Sequence, residues 1–155
     1  MTFQILPLDS EQFQFLSELS DEELAARHID RKVVTQFPGS PCRVTLDDAE
    51  VGETVYLLNW QHLEEDTPYR AAHAIYVRPD RKAEMPEVDA LPPVLLRRPI
   101  SVRGYDERHR MIAADLAEGP ALEGAIKEMF GNKDISYIHL HNAKPGCFAA
   151  KAVRA

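Results

Sequence analysis

The apolar residues of this chain fall into short runs of strand-type composition, and turn-forming residues separate the runs. The segment "TVYLLNWQ", residues 54–61, is rich in β-branched and aromatic side chains and is apolar on both faces, which predicts a central, covered strand. "RAAHAIYVR", residues 70–78, predicts a second strong strand. Further strands are predicted in "TFQILPL", "RKVVTQ", "CRVTL", "ISVRGYDE", "RMIAADLAE", "ISYIHLH" and "CFAAKAV".

Two segments have helical signals instead. Ser20, followed three residues later by Glu23, predicts a capping box at the start of a short helix. "GPALEGAIKEMFGN" predicts a longer helix over 120–130, because Leu122, Ile126 and Met129 form one apolar stripe. Five of the eleven prolines lie between residues 79 and 99, which predicts an ordered surface segment with no more than one or two helical turns.

These patterns together predict an α+β fold dominated by antiparallel sheet, since short connections between consecutive strands favour antiparallel neighbours. We expect a strongly curved sheet or a partial barrel, with one short N-terminal helix and the longer helix near residues 120–130. No internal repeat or linker divides the 155 residues, so a single domain over 1–155 is expected.

Charge and composition indicate which classes of partner and location are expected for this protein. Residues 1–60 contain four basic and eleven acidic side chains, and the whole chain has a net charge of −7 without a basic stripe. Because cationic surface supplies most non-specific affinity for nucleic acids, we expect no nucleic-acid partner. No signal peptide or membrane-spanning run is recognisable, so a cytoplasmic protein with reduced Cys42 and Cys147 is expected.

The C-terminal stretch "IHLHNAKPGCFAAKA" contains the densest group of reactive side chains. If "NAKPG" forms a five-residue hairpin loop, His141 lies opposite Cys147 and His139 lies opposite Ala149. One interpretation is a catalytic thiol, with His141 activating Cys147. A second is a metal site made by His139, His141 and a third ligand, either His73 or Cys147. The third is that these are ordinary sheet residues without a chemical role, and the sequence favours it.

Other polar residues are candidates for binding a ligand. Arg43 can bind a carboxylate or phosphate through its planar fork, although a salt bridge to the nearby "DDAE" stretch is the simpler expectation. His73 shares a strand face with apolar residues and is more typical of a core histidine. The remaining candidates for a polar pocket are Tyr69, Arg70, Arg103 and Asn142, with Arg103 and Asp106 alternatively forming an ion pair within a turn. Phosphate-loop, serine-hydrolase and zinc-protease motifs are absent.

Several stretches together resemble a family of short bacterial proteins catalogued as domain of unknown function 1203. The matching pieces are "PGSPCR" (38–43), "GE" (52–53), "PY" (68–69), "HAIYV" (73–77), "RGYD" (103–106) and "HNAKPGCF" (141–148). They occur in order over most of the chain. The resemblance implies a small bacterial single-domain protein, and it carries no activity, cofactor or catalytic residue over to these positions.

The sequence therefore favours a non-catalytic or regulatory module that binds a small polar ligand or a protein partner. The alternative is a Cys/His or metal-dependent enzyme centred on His139, His141 and Cys147. No cofactor is indicated. A homo-oligomer is a further hypothesis, because an exposed terminal strand can pair with a second copy of the chain.

Overall fold

The computed structural model describes residues 1–155 and contains two antiparallel sheets. The larger sheet has the strand order β1-β8-β7-β5-β6. Its strands are β1 (Phe3–Leu6), β5 (Pro99–Tyr105), β6 (Met111–Glu118), β7 (Tyr137–Asn142) and β8 (Phe148–Arg154). The smaller sheet has the order β2-β3-β4, made by β2 (Asp30–Val33), β3 (Thr54–Leu63) and β4 (Ala71–Val77). The sheets do not close into a barrel, and the expected α+β, mainly antiparallel fold is confirmed.

Both predicted helices are present, and the longer one begins and ends one residue later than predicted. α1 (Asp21–Ala26) begins with the reciprocal capping box, in which the Ser20 hydroxyl accepts from the Glu23 N–H and the Glu23 carboxylate accepts from the Ser20 N–H. α3 (Ala121–Gly131) buries its predicted apolar stripe against the larger sheet. The structure adds a 3-10 segment over Ser10–Glu18 and a single turn, α2 (Pro93–Leu96), inside the proline-rich stretch.

Two separate cores follow from the two sheets. One face of the larger sheet packs on α3 through residues such as Ile100, Val102 and Leu140, all with no exposed surface. The smaller sheet packs Ile75 and Val77 against the 3-10 segment and α1. The opposite face of the larger sheet carries aromatic and polar side chains, and it lies beneath the end of β3.

The segment "CRVTL" does not form the predicted strand. Residues 43–46 turn, and only isolated bridges join Pro41 to Asp48 and Cys42 to Tyr76. Residues 42, 44 and 46 are buried with the spacing of one strand face, but Arg43 between them is buried as well. A segment buried on all sides in a tight turn gives the same apolar spacing as a half-buried strand.

The expected register of the β7–β8 hairpin is also wrong. His141 lies opposite Phe148 and His139 lies opposite Lys151, because an irregularity between Leu140 and His141 shifts the pairing. Bulges of this kind insert an unpaired residue and redirect the side chains that follow. The expected opposition of His141 and Cys147 is therefore not formed.

The open edges of the larger sheet include one terminal strand of the chain, and self-association through such a strand stays a prediction. The C-terminal strand β8 is paired on both sides, with β1 and β7, so the open edges of the larger sheet are β1 and β6. None of the helices has the length and apolar character needed to cross a lipid bilayer.

Candidate functional site

A cleft of about 440 Å³ opens where three parts of the chain meet. One wall is the outer face of the smaller sheet, and a second is the segment that joins α2 to β5. The turn between β7 and β8 forms the third wall. The residues that define it chemically are Arg43, His73, Arg97, Arg98, Asn142, Lys144 and Cys147. The volume falls in the range of small-molecule sites, about 300–1,000 Å³.

Arg43 is buried in this cleft with 2% of its surface exposed. Its Nε donates to the Phe148 carbonyl at 2.7 Å, Nη1 donates to the Pro41 carbonyl at 2.5 Å, and Nη2 donates to Cys147 Sγ at 3.0 Å. The expected salt bridge to the "DDAE" stretch is wrong, because no carboxylate lies within ion-pair distance of this guanidinium. A guanidinium has five N–H donors, so two remain after these three contacts.

The other two buried charges have ionic partners, which Arg43 lacks. Arg78 pairs with Asp47 and Glu53, and the fully buried Asp48 carboxylate pairs with Arg97 and Arg98. Burial lowers the pKa of Arg43, although arginine keeps its proton in proteins. The cleft therefore contains a buried positive charge that hydrogen-bonds to a thiol and two backbone carbonyls and has no ionic partner.

The cleft lining as a whole is cationic. Arg43, Arg97, Arg98 and Lys144 line it, no carboxylate lines it, and the single acidic side chain behind it is Asp48. Burial by itself would raise the pKa of Asp48, but hydrogen bonds from Arg98, Arg97 and the Gly39 N–H outweigh burial and hold that pKa below its ordinary value. The local excess of positive charge is notable in a chain with a net charge of −7.

Asn142 and Cys147 complete the floor next to Arg43. Asn142 Nδ2 donates to Cys147 Sγ at 3.4 Å, while its Oδ1 is buried without a hydrogen-bond partner. Asn142 follows His141 on β7, so the two side chains point to opposite faces of the sheet. Cys147 Sγ accordingly lies with Asn142 and Arg43, and it is separated from the imidazole of His141.

Three histidines converge on the other face of the hairpin. His139 and His141 come from β7, and His62 comes from the irregular end of β3, where the pairing with β4 shifts between Gln61 and Leu63. One potential ligand atom from each of the three lies within 4.8 Å of the other two. The His62 ring also stacks on Phe148, with ring centroids 5.3 Å apart and planes 9° apart.

All three imidazoles are neutral near pH 7. Burial is the main cause, and it lowers the pKa of His62 to about 4, of His141 to about 3 and of His139 to about 2. The positive charge of Arg103, opposite His139 on β5, lowers the pKa of each further. Neutral imidazole is the form that ligates a metal ion.

The remaining predicted residues lie apart from one another. His73 is half-buried and lines the cleft; it is not one of the three converging histidines, although its charge contributes to lowering the pKa of His62 and of His141. Tyr69 packs edge-on against Tyr105, and Arg70 pairs with Asp66 on the surface. Arg103 Nε donates to Ser101 Oγ at 3.0 Å, so the expected ion pair with Asp106 does not form.

Sequence reasoning missed His62, Arg97, Arg98 and Lys144. His62 follows a strongly apolar strand, and only the irregular pairing at the end of that strand turns its ring toward β7. No local signal marks such a bulge. The adjacent arginines 97 and 98 were detectable as a cationic pair beside the proline-rich segment, but their proximity to Arg43 depends on how the two sheets pack.

The fold and the cleft define a small α+β protein of two antiparallel sheets with a basic, solvent-open pocket. Residues 39–154 match the family described as "Protein of unknown function (DUF1203)", and the chain belongs to that family. No curated protein and no solved structure matches the chain.

Proposed function

We propose that the protein is a binding module for a small organic anion, a carboxylate or a phosphate, held in the cleft by Arg43. The observation that carries this proposal is the burial of the Arg43 guanidinium without an acidic partner. An isolated ion in a protein interior is costly, and buried charges are normally paired. An oxyanion on the two free N–H donors of Arg43 supplies that missing partner in the bidentate geometry that guanidinium favours.

The neighbouring groups support an anionic ligand of modest size. Lys144 is exposed at the cleft and has no ion-pair partner, so its ammonium group is free to contact an incoming anion. The unpartnered Oδ1 of Asn142 can accept a hydrogen bond from a hydroxyl or protonated group of the same ligand. The cationic lining also attracts anions from solution, an effect that falls as ionic strength rises.

Calorimetric titration with inorganic phosphate and with malonate tests this proposal. We expect at least one of these anions to bind with a Kd of about 1 mM or tighter. Lys144→Gln should weaken binding roughly three- to tenfold, since removing one charge a few ångströms from the ligand changes the binding free energy by about 1 kcal/mol. Raising the salt concentration should weaken binding of the wild-type chain in the same direction.

Lys133→Gln is the matched control. Lys133 is also exposed and without an ion pair, but it lies beside a different depression, near Asp106 and Ser136. This variant should bind the anion as the wild-type chain does. Equal weakening in both lysine variants, or no binding of either anion at about 10 mM, would contradict an anion site in this cleft.

A further inference from the structure

The histidine cluster on the opposite face of the hairpin has features that the anion cleft does not explain. Five side-chain nitrogen or oxygen atoms of the molecule are buried without a hydrogen-bond partner. Three of these are His62 Nδ1, His139 Nδ1 and His141 Nε2. Leaving a buried polar atom without a hydrogen bond destabilises a fold, so three such atoms in one cluster indicate a partner that binds from outside the chain.

The tautomer of His141 leaves its Nε2 free to bind a metal ion. His141 Nδ1 lies 2.9 Å from the Gly146 carbonyl oxygen. Because a carbonyl only accepts hydrogen bonds, Nδ1 must carry the proton, and Nε2 then presents a free lone pair. Metal-binding histidines commonly donate their other ring N–H to a backbone carbonyl in this way, which fixes the orientation of the ring.

The spacing of the rings suits one ion. In a tetrahedral site with metal–nitrogen bonds of about 2.0–2.1 Å, imidazole centroids lie about 5 Å apart. The observed centroid separations are 4.7 Å for His62 and His141, 5.5 Å for His62 and His139, and 6.3 Å for His139 and His141. The two separations that involve His62 are close to this value, and metal binding would bring the rings of His139 and His141 about 1 Å closer together by rotation about their side-chain torsions.

We propose that His62, His139 and His141 form a three-imidazole site for a first-row divalent transition metal ion, Zn²⁺ being the representative case. Three neutral nitrogen ligands without a carboxylate favour Zn²⁺ and its neighbours over the oxygen-seeking Mg²⁺ and Ca²⁺. Cys147 is not a ligand, because its sulfur lies on the face of Asn142 and Arg43.

The three histidines leave the fourth tetrahedral position open to a water molecule or an added ligand. Arg103 and Lys151 both lie opposite His139, on the strands that flank β7. Their positive charges oppose a bare dication but favour a negatively charged ligand on it. The fourth position therefore takes hydroxide or another anion in preference to a neutral donor.

The test is a Zn²⁺ titration of the 155-residue chain after treatment with a chelator, with His62→Gln as the variant and His28→Asn as its control. His62 is the half-buried member of the trio, so its replacement should leave the fold intact. His28 is an exposed histidine just after α1, and its positive φ is a backbone conformation that asparagine tolerates. The wild-type chain should bind one Zn²⁺ tightly. His62→Gln should weaken this binding by at least about 100-fold, because losing a ligand exceeds the 10–100-fold effect of losing an outer partner. His28→Asn should leave it unchanged.

Co²⁺ gives an independent readout of geometry. Addition of Co²⁺ to the wild-type and His28→Asn chains should produce the intense visible absorption of a four-coordinate ion, and His62→Gln should lose it. Absence of stoichiometric Zn²⁺ binding by the wild-type chain would overturn the proposal. So would equal weakening in His62→Gln and His28→Asn, or a weak absorption typical of octahedral Co²⁺. Phosphate binding in the cleft is measured separately, so failure of one site is distinguishable from failure of the other.

Discussion

Individual residues differ here mainly in whether a buried charge has a partner. The charges of Arg78 and Asp48 are buried and have ionic partners, although Arg78 Nε has no hydrogen-bond partner. Arg43 is buried and lacks an ionic partner, and three neutral histidines have unsatisfied nitrogens. Buried groups that the fold itself leaves unsatisfied are candidates for ligand contact. The lack of an ionic partner is the reason for proposing a binding role for Arg43, whereas the ion pairs of Arg78 indicate a structural role.

Asp48 provides a prediction at the residue scale. Its folded-state pKa is depressed, so its contribution to stability is present above its unfolded pKa of about 3.9 and is lost as the pH falls through the lower folded value. Asp48→Asn should reduce the free energy of unfolding at pH 7 by about 2 kcal/mol. This loss of stability is smaller than the roughly 3–5 kcal/mol expected for breaking a fully buried ion pair, because Arg97 is partly exposed.

Urea denaturation between pH 3 and 7 measures this effect. The difference between the wild-type chain and Asp48→Asn should be constant above about pH 5 and should shrink below about pH 4. Asp134→Asn removes an exposed carboxylate without an ion pair and should cause little change at any pH. A stability gap for Asp48→Asn that persists unchanged to the lowest pH would contradict the ionic role of this residue.

At the scale of the elements, the close packing of α3 on β5 depends on Gly104 of β5, which has no Cβ. A Cβ at Gly104 would lie 2.7 Å from Ile135 Cδ1 and 2.8 Å from Met129 Sδ. Gly104→Ala should therefore reduce the free energy of unfolding by about 1–2 kcal/mol through overpacking. Gly124→Ala is the control, since a Cβ there meets nothing within 4 Å and lies inside α3.

On this interpretation, thermal or urea unfolding should show changes in the free energy of unfolding that have opposite signs for the two variants. Gly124→Ala should raise stability by up to about 1 kcal/mol, because alanine has the higher helix propensity. If Gly104→Ala were as stable as the wild-type chain, α3 would not pack on β5 as closely as described.

The elements also show which parts of the fold could be predicted from the sequence. Capping chemistry and the apolar stripe located α1 and α3, and composition located β3 to β6, because these signals are local. The prediction of a strand at 42–46 is wrong because a buried turn gives the same spacing of apolar residues as a half-buried strand. The β7–β8 register was misread because a bulge carries no local signature, and a shift of one residue changes which side chains face each other.

At the scale of the whole molecule, the two candidate sites lie where the two sheets meet. The cleft combines Arg43, the β7–β8 turn and the segment before β5, which are far apart in sequence. The histidine cluster joins β3 of one sheet to β7 of the other. From the sequence, His139, His141 and Arg43 were identified as candidates, but their true partners depend on long-range packing that one sequence does not specify.

A ligand that binds only the folded chain must also stabilise the whole molecule. At a concentration of 100 times its Kd, an anion in the cleft should add about 2.7 kcal/mol to the free energy of unfolding. The rise in Tm with phosphate should exceed that with chloride at the same ionic strength, and Lys144→Gln should reduce the difference. An equal rise with both salts would point to a general salt effect.

Mapping amide shifts in ¹H–¹⁵N spectra during titration with phosphate locates the bound anion on the molecule. Binding at Arg43 predicts saturable shifts at Gly39 and in residues 142–147, with the Arg43 side-chain Nε–H signal moving along the same curve. The amides around Lys133 should stay fixed. Saturable shifts confined to another surface, or linear drifts spread over the chain, would contradict the presence of an anion site at this buried guanidinium.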